Sequence, residues 1–224
     1  MNYYPIFLRV AGRPCLVIGG GRVAEEKVQS LLRAGARVTV ISPQLTPGLT
    51  ALATTDQITH QDRTYGSGDV AGFFLAYAAT DDEELHVTIA AEADAAGVLL
   101  NVVDRPQLCG FIMPAVMERG DLVIATSTGG ASPAMAKRIR RQLEEIFGPE
   151  YALALTLLRR VRESLAASPH NGAERQRIFN TLVDSPLLDY IRHGQRHDIN
   201  ALLAATVGND ISLAALGIEL PHVP

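Results

Sequence analysis

The sequence has little cysteine, no long apolar run and no excess of positive charge, and each shortage excludes a class of protein. Two cysteines in 224 residues do not build the disulfide framework of a small secreted domain. No apolar run approaches the length of a membrane-spanning helix. The first residues lack the basic start and the apolar stretch of a signal peptide. We therefore expect a soluble, cytoplasmic protein.

Charge and metal ligands give further exclusions. A formal net charge of −4 provides no general attraction to nucleic acid or to an anionic membrane, so we expect neither partner. His193 and His197 lie four residues apart, with Gly194 between them. Arg192 and Arg196 flank the pair, and cationic neighbours disfavour a bound metal. The sequence therefore predicts no metal site.

What the sequence does contain is an alternation of strands and helices over roughly the first hundred residues. Apolar or β-branched runs predict strands, and segments with apolar residues at helical spacing lie between them. Such an alternation predicts a parallel sheet with right-handed crossovers. The predicted strands cover residues 15–18, 37–41, 58–62, 73–79 and 98–103.

The pattern changes after this region. Residues 111–117 and 122–126 predict two strands that a short turn joins into a hairpin. Ser132 and Pro133 then stand where an N-cap and a first helical residue are favoured. The chain from Glu150 onward has the pattern of consecutive helices.

A glycine-rich turn joins the first strand to the first helix. Gly19 allows a sharp turn, Gly21 removes a side chain where the backbone must approach a pyrophosphate, and Ala24 keeps the helix close to the sheet. Phosphates would bind the free N–H groups at the helix N-terminus, which the helix dipole favours. The complete strand–helix–strand unit predicts a Rossmann-like, doubly wound dinucleotide-binding domain rather than a plain tight turn. The expected cofactor contacts are Gly19, Gly21, Arg22, Val23, Ser42, Pro43, Gln44, Thr80 and Asp81.

The end of the second strand bears on which dinucleotide binds. An acidic residue usually stands there and binds the ribose 2′-hydroxyl, but this chain has Ser42, Pro43 and Gln44. Because no carboxylate repels a 2′-phosphate, the residues alone leave NAD and NADP open. Ser42 and the neighbouring backbone are the candidate ribose contacts. At the next strand end, Asp81 and Asp82 open a helix, and for both, helix capping is an alternative to cofactor contact.

Asp104 is the candidate catalytic residue. It ends a buried predicted strand, directly before Arg105 and Pro106, where a carboxylate would face the reacting end of a bound nicotinamide. The alternative is a turn residue, because aspartate is common before turns.

A second glycine-rich segment precedes the helix that Ser132 caps. Consecutive backbone N–H groups in such a turn form an anion cradle, and a well-capped helix start is the alternative. The residues concerned are Ser127, Thr128, Gly129 and Gly130.

Six motifs, in this order, resemble the siroheme-synthase dehydrogenase module, the precorrin-2 dehydrogenase / sirohydrochlorin ferrochelatase family. The resemblance implies NAD-dependent oxidation of precorrin-2 to sirohydrochlorin, and in some relatives the insertion of ferrous iron to give siroheme. A hydride would pass to NAD, and a proton must also leave. The motifs lie at residues 4–7, 17–24, 78–82, 101–106, 111–115 and 127–133.

The resemblance also implies residue roles. In the family, the aspartate that matches Asp104 serves as the general acid/base, a role within reach of a carboxylate. Arg105 beside it is the candidate for binding a substrate carboxylate. Many relatives have serine where this chain has Thr128. The loop would bind further substrate carboxylates through Ser127, Thr128, Gly129 and Gly130.

In relatives, the hairpin and the helix after it build a dimer interface. We therefore predict an NAD-binding domain at residues 1–113, a small α+β dimerisation segment at 114–148 and a C-terminal helical domain at 149–224. A homodimer is also expected because several side chains are more apolar than a free hairpin could expose. These are Phe111, Ile112, Met113 and Val116.

An NAD(H)-sensing regulatory domain without catalysis is the alternative from a different class. Such domains, which gate ion transport, also place a glycine turn on a doubly wound sheet. They would need neither Asp104 beside Arg105 nor the segment at 127–133. Mixing the protein with NAD and precorrin-2 and following the tetrapyrrole spectrum separates the two hypotheses.

Overall fold

The computed structural model describes residues 3–166 and 170–220. The chain forms two compact units, Met1–Met113 and Pro114–Pro224.

The first unit is built on a five-stranded parallel sheet. Its order is β3-β2-β1-β4-β5, so the chain leaves β3 at one edge and returns on the other side of β1. The topological switch point of this doubly wound sheet therefore lies between β1 and β4. The predicted fold class is confirmed. The strands are β1 Pro14–Ile18, β2 Arg37–Ile41, β3 Thr59–Gln61, β4 Leu75–Ala78 and β5 Leu99–Val102.

Helices cover both faces of this sheet, which explains why its central strands are apolar throughout. Along β1, Cys15 and Val17 lie in one hydrophobic cluster, whereas Leu16 and Ile18 lie in the other. Ala24 on the first helix is fully buried in the first cluster, as expected from its place after the glycine turn. The helices of the first unit are α1 Arg22–Arg33, α2 Pro47–Thr54 and α3 Glu83–Ala96, and a 3₁₀ turn spans Pro106–Leu108.

The second unit contains an antiparallel hairpin followed by helices. Ser132 caps α4 and Pro133 is its first residue, as predicted. No helix in the described part of the chain is long and apolar enough to cross a membrane. The elements are β6 Ala115–Arg119, β7 Leu122–Thr126, α4 Pro133–Ile146, α5 Glu150–Ala166, α6 Gly172–Val183, α7 Leu187–Arg192 and α8 Arg196–Thr206.

The predicted first strand of the hairpin was wrong in its first half. The strand begins at Ala115, directly after Pro114, which has no N–H to donate to a ladder. The residues before Pro114 belong to the first unit. There the ring of Phe111 packs edge-on against Tyr77 with 5.7 Å between centroids, and its carbonyl accepts a 2.9 Å hydrogen bond from Asn101 Nδ2.

Candidate functional site

Most of the predicted site residues lie in loops that follow the carboxyl ends of neighbouring strands. These ends form one edge of the sheet. The backbone ladder continues one residue beyond the strands: Gly19 N donates to Ile41 O, Ala79 N to Ile18 O, and Val103 N to Ala78 O, at 2.8 to 3.0 Å. The structure therefore places the loops in the order of the strands β2, β1, β4 and β5. Ligands bind at this edge in open parallel sheets. The loops contain residues 42–44, 19–21, 79–81 and 103–105.

Gly19 closes the turn against the neighbouring strand end. Its φ of +113° lies in the left-handed region, and a Cβ there would lie 2.2 Å from Ala79 O. Only glycine fits this position, because both the conformation and the close backbone approach exclude a side chain.

Gly20 is a structural requirement of the site that the sequence analysis missed. A Cβ at this position would lie 1.9 Å from Gln44 O and 2.8 Å from Ser42 Oγ. The loop after β2 therefore lies directly on the glycine turn. The uninterrupted run of three glycines was the available signal, because the dinucleotide pattern itself leaves the middle position free.

Gly21 faces open space. It is the N-cap of α1 with no side-chain capping bond, and a Cβ there would have no other atom within 4 Å. The first N–H groups of the helix are thus left without a capping side chain, beside a gap that glycine keeps open. This arrangement fits the diphosphate of a dinucleotide, which Gly21, Arg22 and Val23 would hold. Arg22 is available there, since its contact with Glu26 is an exposed pair at 3.7 Å.

Ser42 is engaged within its own turn. The side chain is buried, and Oγ donates a 2.7 Å hydrogen bond to Gln44 O and accepts one of 3.3 Å from Gln44 N. Its hydroxyl proton is therefore not available to a ribose. The Pro43 and Gln44 backbone is then the remaining candidate among these residues for a ribose contact.

The two aspartates after β4 have different surroundings. Asp82 caps α3, and its Oδ1 accepts a 3.0 Å hydrogen bond from Leu85 N, which confirms the capping interpretation for this residue. Asp81 is exposed and is not the cap. Thr80 Oγ1 lies 3.1 Å from His86 Nε2.

Asp104 has a left-handed backbone and an exposed side chain. Its φ is +59°, a conformation that aspartate tolerates better than most residues. Among the described residues, none forms a hydrogen bond or ion pair with its carboxylate. Asp104 is therefore a turn residue, as the alternative interpretation had it, and also a carboxylate free to react.

Cys109 stabilises the loop that carries Asp104 through hydrogen bonds of its sulfur. Its Sγ lies 3.2 Å from both Val102 N and Val102 O and 3.3 Å from Arg105 O, so the sulfur bridges the two sides of the turn. Burial raises the pKa of the Cys109 thiol, against the opposing effect of the Val102 N–H, and the sulfur keeps its proton for one of these bonds. Arg105 itself pairs with the exposed Glu83 carboxylate.

The second glycine-rich loop belongs to the second unit and bonds mostly to itself. Ser127 Oγ accepts from Gly129 N at 3.1 Å, and Thr128 Oγ1 accepts from Ser132 N at 3.0 Å. Ser132 Oγ in turn accepts from Met135 N at 3.2 Å. The capped helix start is confirmed, and one of the N–H groups expected in an anion cradle, that of Gly129, is already used.

Two family models match the chain. One, described as "Putative NAD(P)-binding", covers residues 6–115, and the other, described as "Sirohaem biosynthesis protein central", covers residues 119–146. The first match supports NAD as the cofactor expected from the glycine turn.

Curated siroheme synthases are similar to most of this chain. The protein of Ectopseudomonas mendocina is 44% identical over 203 residues, which is 91% of this chain and 44% of that protein. The protein of Thioalkalivibrio sulfidiphilus is 38% identical over 195 residues, which is 87% of this chain and 40% of that protein. The chain thus spans less than half the length of these relatives.

A solved structure titled "SirC, precorrin-2 dehydrogenase" shares the fold. It superimposes with a TM-score of 0.79 over 89% of this chain and 98% of that one, at 24% sequence identity. The family models and the curated relatives agree with the six motifs found in the sequence. Over most of its own length, the chain is therefore similar to part of the siroheme synthases, the family that the six motifs indicate.

Proposed function

We propose that this chain catalyses the NAD-dependent oxidation of precorrin-2 to sirohydrochlorin. The observation that supports it most is the arrangement at the sheet edge. A glycine turn suited to a diphosphate follows β1, and the unpaired carboxylate of Asp104 follows β5. A carboxylate at a ligand-binding edge can act as a general base where it comes within hydrogen-bond reach of the proton that leaves.

The strand order gives the two halves of a dinucleotide different surroundings. Residues 42–44 follow β2 on one side of the glycine turn, whereas Asp104 follows β5 on the other side. Because neighbouring strands are about 4.8 Å apart, the end of β5 lies roughly 10 Å from the turn after β1. With the ribose of its adenosine half at residues 42–44, a dinucleotide would extend its nicotinamide half toward Asp104.

The reaction removes one hydride and one proton from the substrate. When bound, NAD supplies the acceptor for the hydride. Asp104 takes the proton, since neither of its oxygens is engaged by another residue of the described chain. The left-handed turn holds this side chain at the surface, and Cys109 fixes both sides of the turn.

Two sets of residues would bind the substrate's carboxylates. Arg105 is a candidate because its pair with Glu83 is exposed, and such a pair is weak enough for a substrate carboxylate to replace. The glycine-rich loop is the second candidate, through Ser127, Thr128, Gly129 and Gly130. Ferrous iron is proposed as a second substrate, with Asp104 accepting the two pyrrole protons one after the other and releasing each to solvent as the metal enters.

The direct test is an anaerobic assay of the purified chain with NAD and precorrin-2, followed by the tetrapyrrole spectrum. The informative variant is Asp104→Asn, because asparagine tolerates a φ of +59° whereas alanine would add backbone strain. We expect it to bind NAD normally and to lose turnover by about 100-fold or more, the usual contribution of a general base.

Asp82→Asn is the matched control. It removes a carboxylate at the same edge, and asparagine caps a helix as well as aspartate does, so turnover should stay close to that of the wild type. Near-normal turnover of Asp104→Asn would exclude this residue from the mechanism. NAD binding by the wild type without any spectral change would favour the sensor hypothesis.

Two additions to the assay address the cofactor and the metal. Replacing NAD with NADP tests selectivity at residues 42–44, where no carboxylate opposes a 2′-phosphate. Adding ferrous iron to sirohydrochlorin tests metal insertion. If Asp104 takes the pyrrole protons, Asp104→Asn should slow both reactions; loss of oxidation alone would assign iron insertion to other groups.

A further inference from the structure

His86 is a buried polar residue that the proposed reaction does not use. It lies in the first turns of α3 with 4% of its surface exposed. One ring nitrogen, Nε2, lies 3.1 Å from Thr80 Oγ1. The other, Nδ1, is buried and has no hydrogen-bond partner among the described residues.

The unpartnered Nδ1 decides the direction of the hydrogen bond to Thr80. A neutral imidazole carries one proton, on either nitrogen. On Nδ1, the proton would make a buried N–H without an acceptor, which is rare in proteins, and an imidazolium would add a buried charge. On Nε2, the proton has an acceptor in Thr80 Oγ1, and only a lone pair is left unpaired. His86 is therefore the donor, and Thr80 is the acceptor.

This direction leaves the proton of the Thr80 hydroxyl for a ligand. Thr80 follows β4 by two residues at the switch point of the sheet, and its Cγ2 lies 3.5 Å from where a Cβ on Gly19 would be. The hydroxyl is thus attached beside the glycine turn. Because the Thr80 oxygen accepts from His86, the hydroxyl proton points away from the histidine and can be donated to a ligand.

We propose that His86 is a positioning residue for the cofactor: it fixes the Thr80 hydroxyl as a hydrogen-bond donor to an oxygen of the bound dinucleotide. This inference rests on the NAD binding of the proposed function. His86 does not contact the cofactor in this arrangement and acts through Thr80 alone.

The first test measures the tautomer in the protein without any ligand. Long-range ¹H–¹⁵N correlation spectra of ¹⁵N-histidine-labelled protein at mildly alkaline pH distinguish the two ring forms, and His86→Gln identifies the signal. Two other histidines serve as references. His60 Nε2 lies 2.9 Å from Ser42 O and His193 Nδ1 lies 2.8 Å from Asp189 O, and a carbonyl can only accept. His86 should show the Nε2–H pattern of His60; an Nδ1–H or doubly protonated ring would overturn the proposal.

The second test is a double-mutant cycle on NAD affinity with Thr80→Val and His86→Leu. Each single change should weaken NAD binding about five-fold, the worth of one hydrogen bond. His86→Leu should have no further effect in the Thr80→Val protein, because the hydroxyl that it orients is already absent. His86→Gln keeps a side-chain N–H donor, so it should restore most of the affinity.

The outcomes separate this inference from the proposed function. Wild-type protein that does not bind NAD would overturn both. NAD binding with equal, additive losses in the two backgrounds would overturn only the role of His86 and would assign it to the packing of α3. Should His86→Leu not fold, the cycle is completed with His86→Gln and His86→Asn. Equal NAD affinities of these two variants would then also overturn the proposal, because asparagine cannot place its amide at the position of Nε2.

Discussion

At the scale of single residues, three adjacent glycines are needed for three different reasons. Gly19 combines a left-handed φ with a close approach to Ala79, and Gly20 lies against the Gln44 carbonyl with an ordinary φ. A Cβ on Gly21 would meet no neighbouring atom within 4 Å. The first two are requirements of the fold, whereas the third faces open space, where we propose that the diphosphate binds.

This difference predicts that two alanine substitutions affect different properties, the first mainly stability and the second mainly NAD binding. Gly20→Ala puts a Cβ against a backbone oxygen that cannot move freely, so it should lower the free energy of unfolding by about 2 kcal/mol. Gly21→Ala enters open space and should cost only about 0.5 kcal/mol, through poorer capping of α1. It should nevertheless weaken NAD binding by about ten-fold or more, because the new methyl group occupies the space of the diphosphate.

Urea unfolding and NAD titration of both variants check the prediction. We expect Gly20→Ala to lower mainly the free energy of unfolding and Gly21→Ala to lower mainly the affinity for NAD. If Gly21→Ala bound NAD as tightly as the wild type, the diphosphate would not lie at this turn.

The residue pattern provided candidate site residues where the spacing along one segment suggests a role. Gly19 and Gly21 follow from the spacing of the dinucleotide motif. Gly20 does not, because its requirement comes from Gln44, which follows a different strand. Two further features were not predictable either: the hydrogen bond from the Ser42 hydroxyl to Gln44 O and the left-handed turn at Asp104. Both depend on hydrogen bonds and backbone angles that a residue pattern does not specify.

At the scale of secondary structure, the buried parallel strands were the most predictable elements. The second strand begins and ends at the predicted residues, because a β-branched run between helical segments has few alternatives. The first strand of the hairpin was less predictable. The apolar side chain of Phe111 suggests a strand, but it packs on Tyr77, which lies 34 positions earlier in the sequence. Tertiary packing determined the outcome there.

The N-terminus of α4 allows a prediction about the hydroxyl of Thr128. Thr128→Val removes the acceptor of Ser132 N, and Ser132→Ala removes that of Met135 N, so each should cost about 1 kcal/mol of unfolding free energy. Thr128→Ser keeps the hydroxyl and should match the wild type. Urea unfolding measures all three. A loss with serine as large as with valine would contradict the prediction, because serine keeps the hydroxyl that accepts from Ser132 N.

At the scale of the whole molecule, the structure changes the basis of the homodimer prediction. Phe111 and Met113 have partners within the first unit: Phe111 packs on Tyr77, and Met113 Sδ accepts a 2.9 Å hydrogen bond from the Tyr77 hydroxyl. Burial raises the pKa of Tyr77, so this hydroxyl stays a donor. The hairpin and α4 also expose apolar side chains that a second copy could cover. They include Val123, Met135 and Ile146, which are 39%, 47% and 62% exposed.

We expect light scattering to give a mass twice the 24.0 kDa of one chain. Val123→Glu places a charge in the proposed interface, where burying it without a partner is unfavourable, so the mass should fall toward that of one chain at low concentration. Val183→Glu is the matched control, because Val183 is also exposed, at 63%, but lies on α6. It should leave the dimer intact. If both changes dissociated the dimer equally, the interface would not lie on the hairpin and α4. A wild-type mass of one chain would contradict the homodimer itself.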